Sequence, residues 1–116
     1  MDLTHSEIPL IQKTYDLYKV LHAYTKTFPK SDKYSLGDRI KSTTLDMLEL
    51  LLEAESAKKD WKQPILEKVN RKLGVLKLLV RLANEIKALD AKKYLELIER
   101  EQEIGRMIGG WIKSVR

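Results

Sequence analysis

The chain has 116 residues, 22 Lys and Arg against 17 Asp and Glu, a formal net charge of +5, and no Cys. That length suits one domain with a real core and is short for two. Its 43% hydrophobic and 34% charged content excludes a disordered chain; the absence of Cys excludes disulfides and thiolate metal sites and fits a reducing cytoplasm. No run of about 18 apolar residues exists, so no membrane span is expected, and Met1 to Leu10 lacks the basic-then-apolar pattern of a signal peptide.

Ile8 to about Thr27 forms the first expected helix. Ile8, Ile11, Tyr15 and Tyr18 make one row, and Leu10, Leu17, Leu21, Tyr24 and Phe28 another. Tyr15, Tyr18, Tyr24 and Tyr34, interleaved with Lys13, Lys19 and Lys26, have the composition of a base-stacking surface. The simpler reading is packing, with the hydroxyls at the rim. Pro29 pushes Phe28 out of the α region and should end this helix near Thr27.

Ser35-Leu36-Gly37-Asp38 has the spacing of a capping box, with Asp replacing the usual Glu, and is expected to open a second helix over 35–59. Its apolar positions are Leu36, Ile40, Met47, Leu51 and Ala54, then Leu45, Leu48 and Leu52. Asp38, Asp46, Glu49 and Glu53 lie on the opposite strip and read as a solvated acidic face rather than a metal site. Glu55 to Gln63 is an expected polar turn, with Pro64 at the start of the third helix, where its missing N–H costs least.

The third helix, 64–89, has two apolar sides. Leu66, Val69, Leu73, Leu76, Val80 and Ala83 form one row at helical spacing; Val75, Leu79, Leu82, Ile86 and Leu89 form the other. A surface helix needs only one stripe of about 100°. The second side therefore asks for another neighbour, and Val75, Leu79, Leu82 and Ile86 are the candidate oligomer interface; a central, heavily buried helix would also explain it. What remains is a thin polar strip of Asn70, Gly74, Lys77, Arg81 and Asn84 or Glu85. Charge points to the same region. Residues 1–60 carry 9 basic and 10 acidic groups, whereas 61–116 carry 13 and 7, so the positive charge is concentrated in the second half. A basic face attracts a polyanion, although solubilising lysines give the same count.

Asp90 is a good N-cap for a fourth helix over 91–114, and so short a connection makes helices three and four antiparallel neighbours. Tyr94, Leu97, Ile98, Ile104, Met107, Ile108, Trp111 and Ile112 form its apolar side. Gly105 and Gly109, four apart, suit close approach of another helix, and each costs about 1 kcal/mol of helix propensity. Arg106, Lys113 and Gln102 share the polar side. Glu99, Glu101 and Glu103 read as a charged face. The whole, 1–116, is expected to be an all-α, up-down-up-down four-helix bundle.

Catalytic chemistry is hard to assemble from these residues. His5 and His22 are the only histidines, and no phosphate loop, metal spacing or catalytic triad is evident, so neither enzyme activity nor a cofactor is expected.

Several blocks carry a resemblance. Phe28-Pro29-Lys30-Ser31, Tyr34-x-Leu36-Gly37-x-Arg39-Ile40, Leu76-x-x-Leu79-x-Arg81-Leu82-Ala83, Lys93-Tyr94 and Glu103-Ile104-Gly105-Arg106-Met107-Ile108-Gly109-Gly110-Trp111-Ile112 resemble the accessory variability determinant (Avd) proteins of diversity-generating retroelements. The last block is the most specific. The four-helix proteins encoded by intervening sequences in 23S rRNA genes are a related family and the alternative reading, a structural or RNA-associated bundle with no polymerase partner. The Avd resemblance implies a homopentameric barrel, no catalytic activity, and two partners: the retroelement reverse transcriptase and its RNA, or an RNA/DNA hybrid. It implies support of mutagenic cDNA synthesis. On its motifs the basic positions are Lys77, Arg81 and Arg106. Lys77 and Arg81, one turn apart, can meet the same phosphate run. Arg71, Lys72, Lys68 and Lys113 extend the basic surface.

Overall fold

The computed structural model describes residues 8–116, and within them all regular structure is helical. His5 lies outside the described residues. Four long helices, α1 (Ile8–Thr25), α2 (Asp38–Ser56), α3 (Lys59–Glu85) and α4 (Ala91–Val115), make a bundle 43 × 24 × 20 Å. α1 packs on α2 and α4, and α3 packs on the same two. Cross-links fix the directions. Lys13 meets Glu103 and Tyr24 meets Glu96, so α1 and α4 are antiparallel. Lys72 reaches Asp46 and Lys62 reaches Ala54, so α2 and α3 are antiparallel as well.

The core is the expected one except on α2, where Leu45 and Leu52, expected among the apolar positions, are exposed. Leu10, Leu17 and Leu21 of α1, Ile40, Met47, Leu51 and Ala54 of α2, and Leu97, Ile104, Ile108, Trp111 and Ile112 of α4 are buried against the first row of α3. Leu66, Val69, Leu73, Leu76, Val80 and Ala83 are each at most 1% exposed, so this row is the spine on which the other helices pack. Three buried threonines satisfy their hydroxyls locally: Thr14 donates to the Leu10 carbonyl, Thr43 to Arg39 and Thr44 to Ile40. Helix interiors tolerate such residues when the hydroxyl bonds back one turn.

Helix ends depart from expectation in three places. Ser35 does not cap. Pro29, at φ −52° and ψ 147°, starts a short α-turn at Lys30–Asp32, which runs through a π-helical stretch, Lys33–Gly37, into α2. Ser35 Oγ instead donates to the Ser31 carbonyl at 3.0 Å. The wider π turn carries Gly37 inward, close to Thr25 and Phe28 at the end of α1. The expected polar turn at 55–63 shrinks to Ala57 and Lys58, because α3 already begins at Lys59 and contains Pro64. Lys62 explains part of this. Its ammonium donates to the Ala54 and Glu55 carbonyls at 2.7 and 2.9 Å, capping α2 from the first turn of α3. A cation there also complements the helix dipole.

At the other end α3 stops at Glu85 rather than Leu89. Lys87 takes φ 67°, the Ala88 N–H donates to the Ala83 carbonyl and the Lys87 N–H to Asn84. This is the left-handed cap usually occupied by Gly. The Asn84 amide secures the turn by donating to the Leu89 carbonyl. Asp90 caps α4 as expected, accepting from the Lys93 N–H at 2.8 Å.

Candidate nucleic-acid interface

The circumference of α3 left over by its core row divides into two faces. On the side next to α4 stand Gly74, Lys77 and Arg81, which with Leu78 and with Tyr94, Ile98, Glu101 and Gln102 of α4 line an open pocket of about 380 Å³. On the outer side stand Val75, Leu82 and Ile86, all 43–47% exposed, with Leu79 half-buried. Among the described residues, the second apolar side therefore has no complete cover.

The basic residues divide the same way. Lys77 and Arg81 share the pocket. Arg106 is exposed one turn beyond Gln102 and prolongs its edge; Lys113 is exposed two turns further along the same stripe. Arg71, six residues before Lys77, is turned about 120° away around the helix, among the exposed apolar side chains. Lys68 lines a separate groove of about 600 Å³ with Trp61, Pro64 and Ile65, and Lys72 is paired with Asp46 at 3.2 Å. The seven candidates thus form a pair with two outliers on one side and a scattered trio on the other. Arg81 has a surface partner, Glu85, at 3.6 Å from its Nε. Such a pair contributes little and is readily exchanged for a better anion.

Glu101 is the residue that the sequence reading misplaced. It is 3% exposed, not part of a solvated face. Its Oε2 is buried and has no hydrogen-bond partner among the described residues. Burial pushes its carboxyl up to about 7, with the Lys77 ammonium acting in the opposite direction. The signal was available: Leu97, Glu101, Ile104, Ile108 and Trp111 are spaced 4, 3, 4 and 3, so Glu101 occupies a core register on α4. Glu99 is exposed and Glu103 pairs with Lys13 at 3.0 Å, as surface carboxylates do.

The tyrosines also divide. Tyr24 is half-buried and its hydroxyl donates to Glu96, which Arg100 also contacts; the shared proton holds the Tyr24 hydroxyl above, and the Glu96 carboxyl below, their ordinary pKa. That is a packing tyrosine with its hydroxyl at the rim. Tyr15 and Tyr34 are 53% and 65% exposed and do not pack in this way. His22 is exposed and stacks on Tyr18.

Among the described residues, Gly105 and Gly109 do not bring another helix backbone into close approach. A Cβ on Gly105 would meet Leu73 at 3.4 Å, an ordinary contact, and one on Gly109 or Gly110 would meet nothing within 4 Å. The most specific block of the sequence therefore leaves bare helix backbone at its surface.

Compared with curated proteins, the chain matches none. The model of the bAvd-like family, in contrast, matches residues 9–115, spanning all four helices and both faces of α3. The chain belongs to the bAvd-like family.

Proposed function

We propose that this protein is a non-catalytic, cytoplasmic accessory subunit of a diversity-generating retroelement. In this reading it assembles as a homopentamer and binds the retroelement reverse transcriptase and template RNA, supporting mutagenic cDNA synthesis. Membership of the bAvd-like family is the observation that carries the reading. Two features of the fold support it. The Lys77–Arg81 pair stands on a pocket at the α3–α4 surface, where it can meet a phosphate run. The outer row of α3, with Val75, Leu82 and Ile86 more than 40% exposed, is the surface a neighbouring copy would cover.

The test is reconstituted cDNA synthesis from the reverse transcriptase and template RNA. The wild-type chain is expected to support the reaction. Lys77→Glu/Arg81→Glu is expected to abolish that support while leaving the mass of the assembly unchanged. Full support from the charge-reversed protein would remove the basic pair from the mechanism.

A further inference from the structure

We infer that the groove at the α2–α3 turn is a second contact for single-stranded RNA, one that tolerates any sequence: a base stacks on the Trp61 indole and the flanking phosphates meet Lys58 and Lys68. The inference rests on the RNA-binding reading above and adds to it a site away from the Lys77–Arg81 pair.

Trp61 is 66% exposed, the most exposed large hydrophobic side chain among the described residues, and takes no part in the core, so packing does not account for it. The other exposed aromatic rings are already occupied. Lys19 Nζ lies 5.1 Å from the ring centroid of Tyr15, and Lys33 Nζ 5.7 Å from that of Tyr34. Among the described residues no cation or second ring lies over Trp61. Its indole face is free to take a flat partner.

The surroundings of the indole say what that partner is. Trp61 shares an open groove of about 600 Å³ with Pro64 and Ile65, one turn further along α3, and with Lys58 and Lys68. Neither lysine has an ion-pair partner among the described residues, and Glu53 is the one acid in the lining. An aromatic platform between unpaired cations suits a base with its phosphates, and every base has a face to stack, so the contact carries no sequence preference. An acidic peptide would also meet the lysines, but its apolar side chains gain most from an enclosing pocket, and this groove is open. Fourteen residues separate Trp61 from Val75, about 21 Å of helix. Lys68, Arg71 and Lys72 interrupt the stretch between them, so the groove is separate from the surface assigned to a neighbouring copy.

The experiment follows the intrinsic fluorescence and the affinity of the full chain with a uridine 9-mer, a cytidine 9-mer and an abasic 9-mer that keeps the phosphates and loses the bases. The other tryptophan, Trp111, is 8% exposed and supplies a constant background. Both base-bearing strands are expected to quench Trp61, to bind about tenfold more tightly than the abasic strand, and to lie within about threefold of each other. Trp61→Ala, outside the core, should fold and bind all three strands alike; Trp61→Phe, which keeps a ring, should retain most of the preference. Lys58→Gln/Lys68→Gln should weaken all three by a similar factor. Equal binding of the uridine and abasic strands by the wild type, or a preference undiminished in Trp61→Ala, overturns the assignment while leaving RNA binding in place. An acidic peptide that quenches Trp61 where RNA does not assigns the groove to a protein partner and overturns it too. Failure of every strand to bind overturns the RNA-binding reading itself, and this inference with it.

Discussion

The ammonium of Lys77 lies 3.9 Å from where a Cβ on Gly105 would stand, so the missing side chain of α4 forms part of the bed for the cation of α3. The nearest other atom to that position is Leu73 Cδ2, at 3.4 Å. A methyl group therefore fits. Gly105→Ala should gain helix propensity, raising stability by about 0.5–1 kcal/mol, whereas Gly105→Leu should displace the ammonium and weaken polyanion binding. Denaturant titration and RNA affinity on the two variants separate these effects.

Glu101 makes stability depend on pH with the opposite sign to a salt-bridged acid. Its carboxyl is raised from 4.5 to about 7 in the fold. Below pH 4.5 both folded and unfolded chains carry the proton, and the group costs nothing. Between the two values only the folded chain holds it, so stability falls as pH rises, and above about 7 the loss is complete. The total is on the order of 3 kcal/mol at most. Urea unfolding should accordingly show Glu101→Gln more stable than the wild type at pH 8 and close to it at pH 5. A wild type whose stability rises over that interval, with Glu101→Gln following it, would show that burial does not hold the proton.

Lys87 occupies a left-handed cap at φ 67°, a conformation that costs an L side chain roughly 1–2 kcal/mol. Lys87→Gly removes the strain but frees the unfolded chain, so a net gain of about 0.5–1 kcal/mol is expected. A lower midpoint in thermal unfolding would contradict the account of this cap.

Lys62 joins the end of α2 to the start of α3 through two carbonyls. Lys62→Met keeps the aliphatic stem and removes the bonds, and should cost about 1–3 kcal/mol in chemical denaturation. A neutral result would mean that the Ala57–Lys58 turn is held by its backbone alone.

The outer row of α3 should behave as an interface. Val75, Leu82 and Ile86 are each nearly half exposed, and covering what remains is worth about 1 kcal/mol per side chain. Leu82→Glu should give a folded, helical protein of lower mass by sedimentation or native mass measurement. Unchanged mass would place the contacts between copies elsewhere.

Much of this architecture was legible from periodicity. The α3 spine, the open second row and the Asp90 cap all follow from spacing and side-chain chemistry. Three features resisted for identifiable reasons. Ser35 has the right spacing for a cap, but Pro29 had already begun the helical turn and Ser35 bonded back to Ser31. Pro64 suggested a helix start because its cost inside a helix is a local rule, while the Lys62 contacts that hold the earlier turn are tertiary. Glu101 was read by its charge, although its register placed it in the core. The division of the basic residues follows from the third helix's own geometry, but which of them gains a partner across the bundle, as Lys72 does with Asp46, depends on how the helices pack.

The central claim is that Lys77 and Arg81 form the polyanion-binding site. Its most direct test is the salt dependence of RNA affinity for the wild type and for Lys77→Glu/Arg81→Glu at equal assembly mass. Loss of two phosphate contacts should flatten the plot of log affinity against log salt by about 1.4 per chain engaged, with weaker binding at low salt. Identical slopes and affinities for the two proteins would contradict the claim.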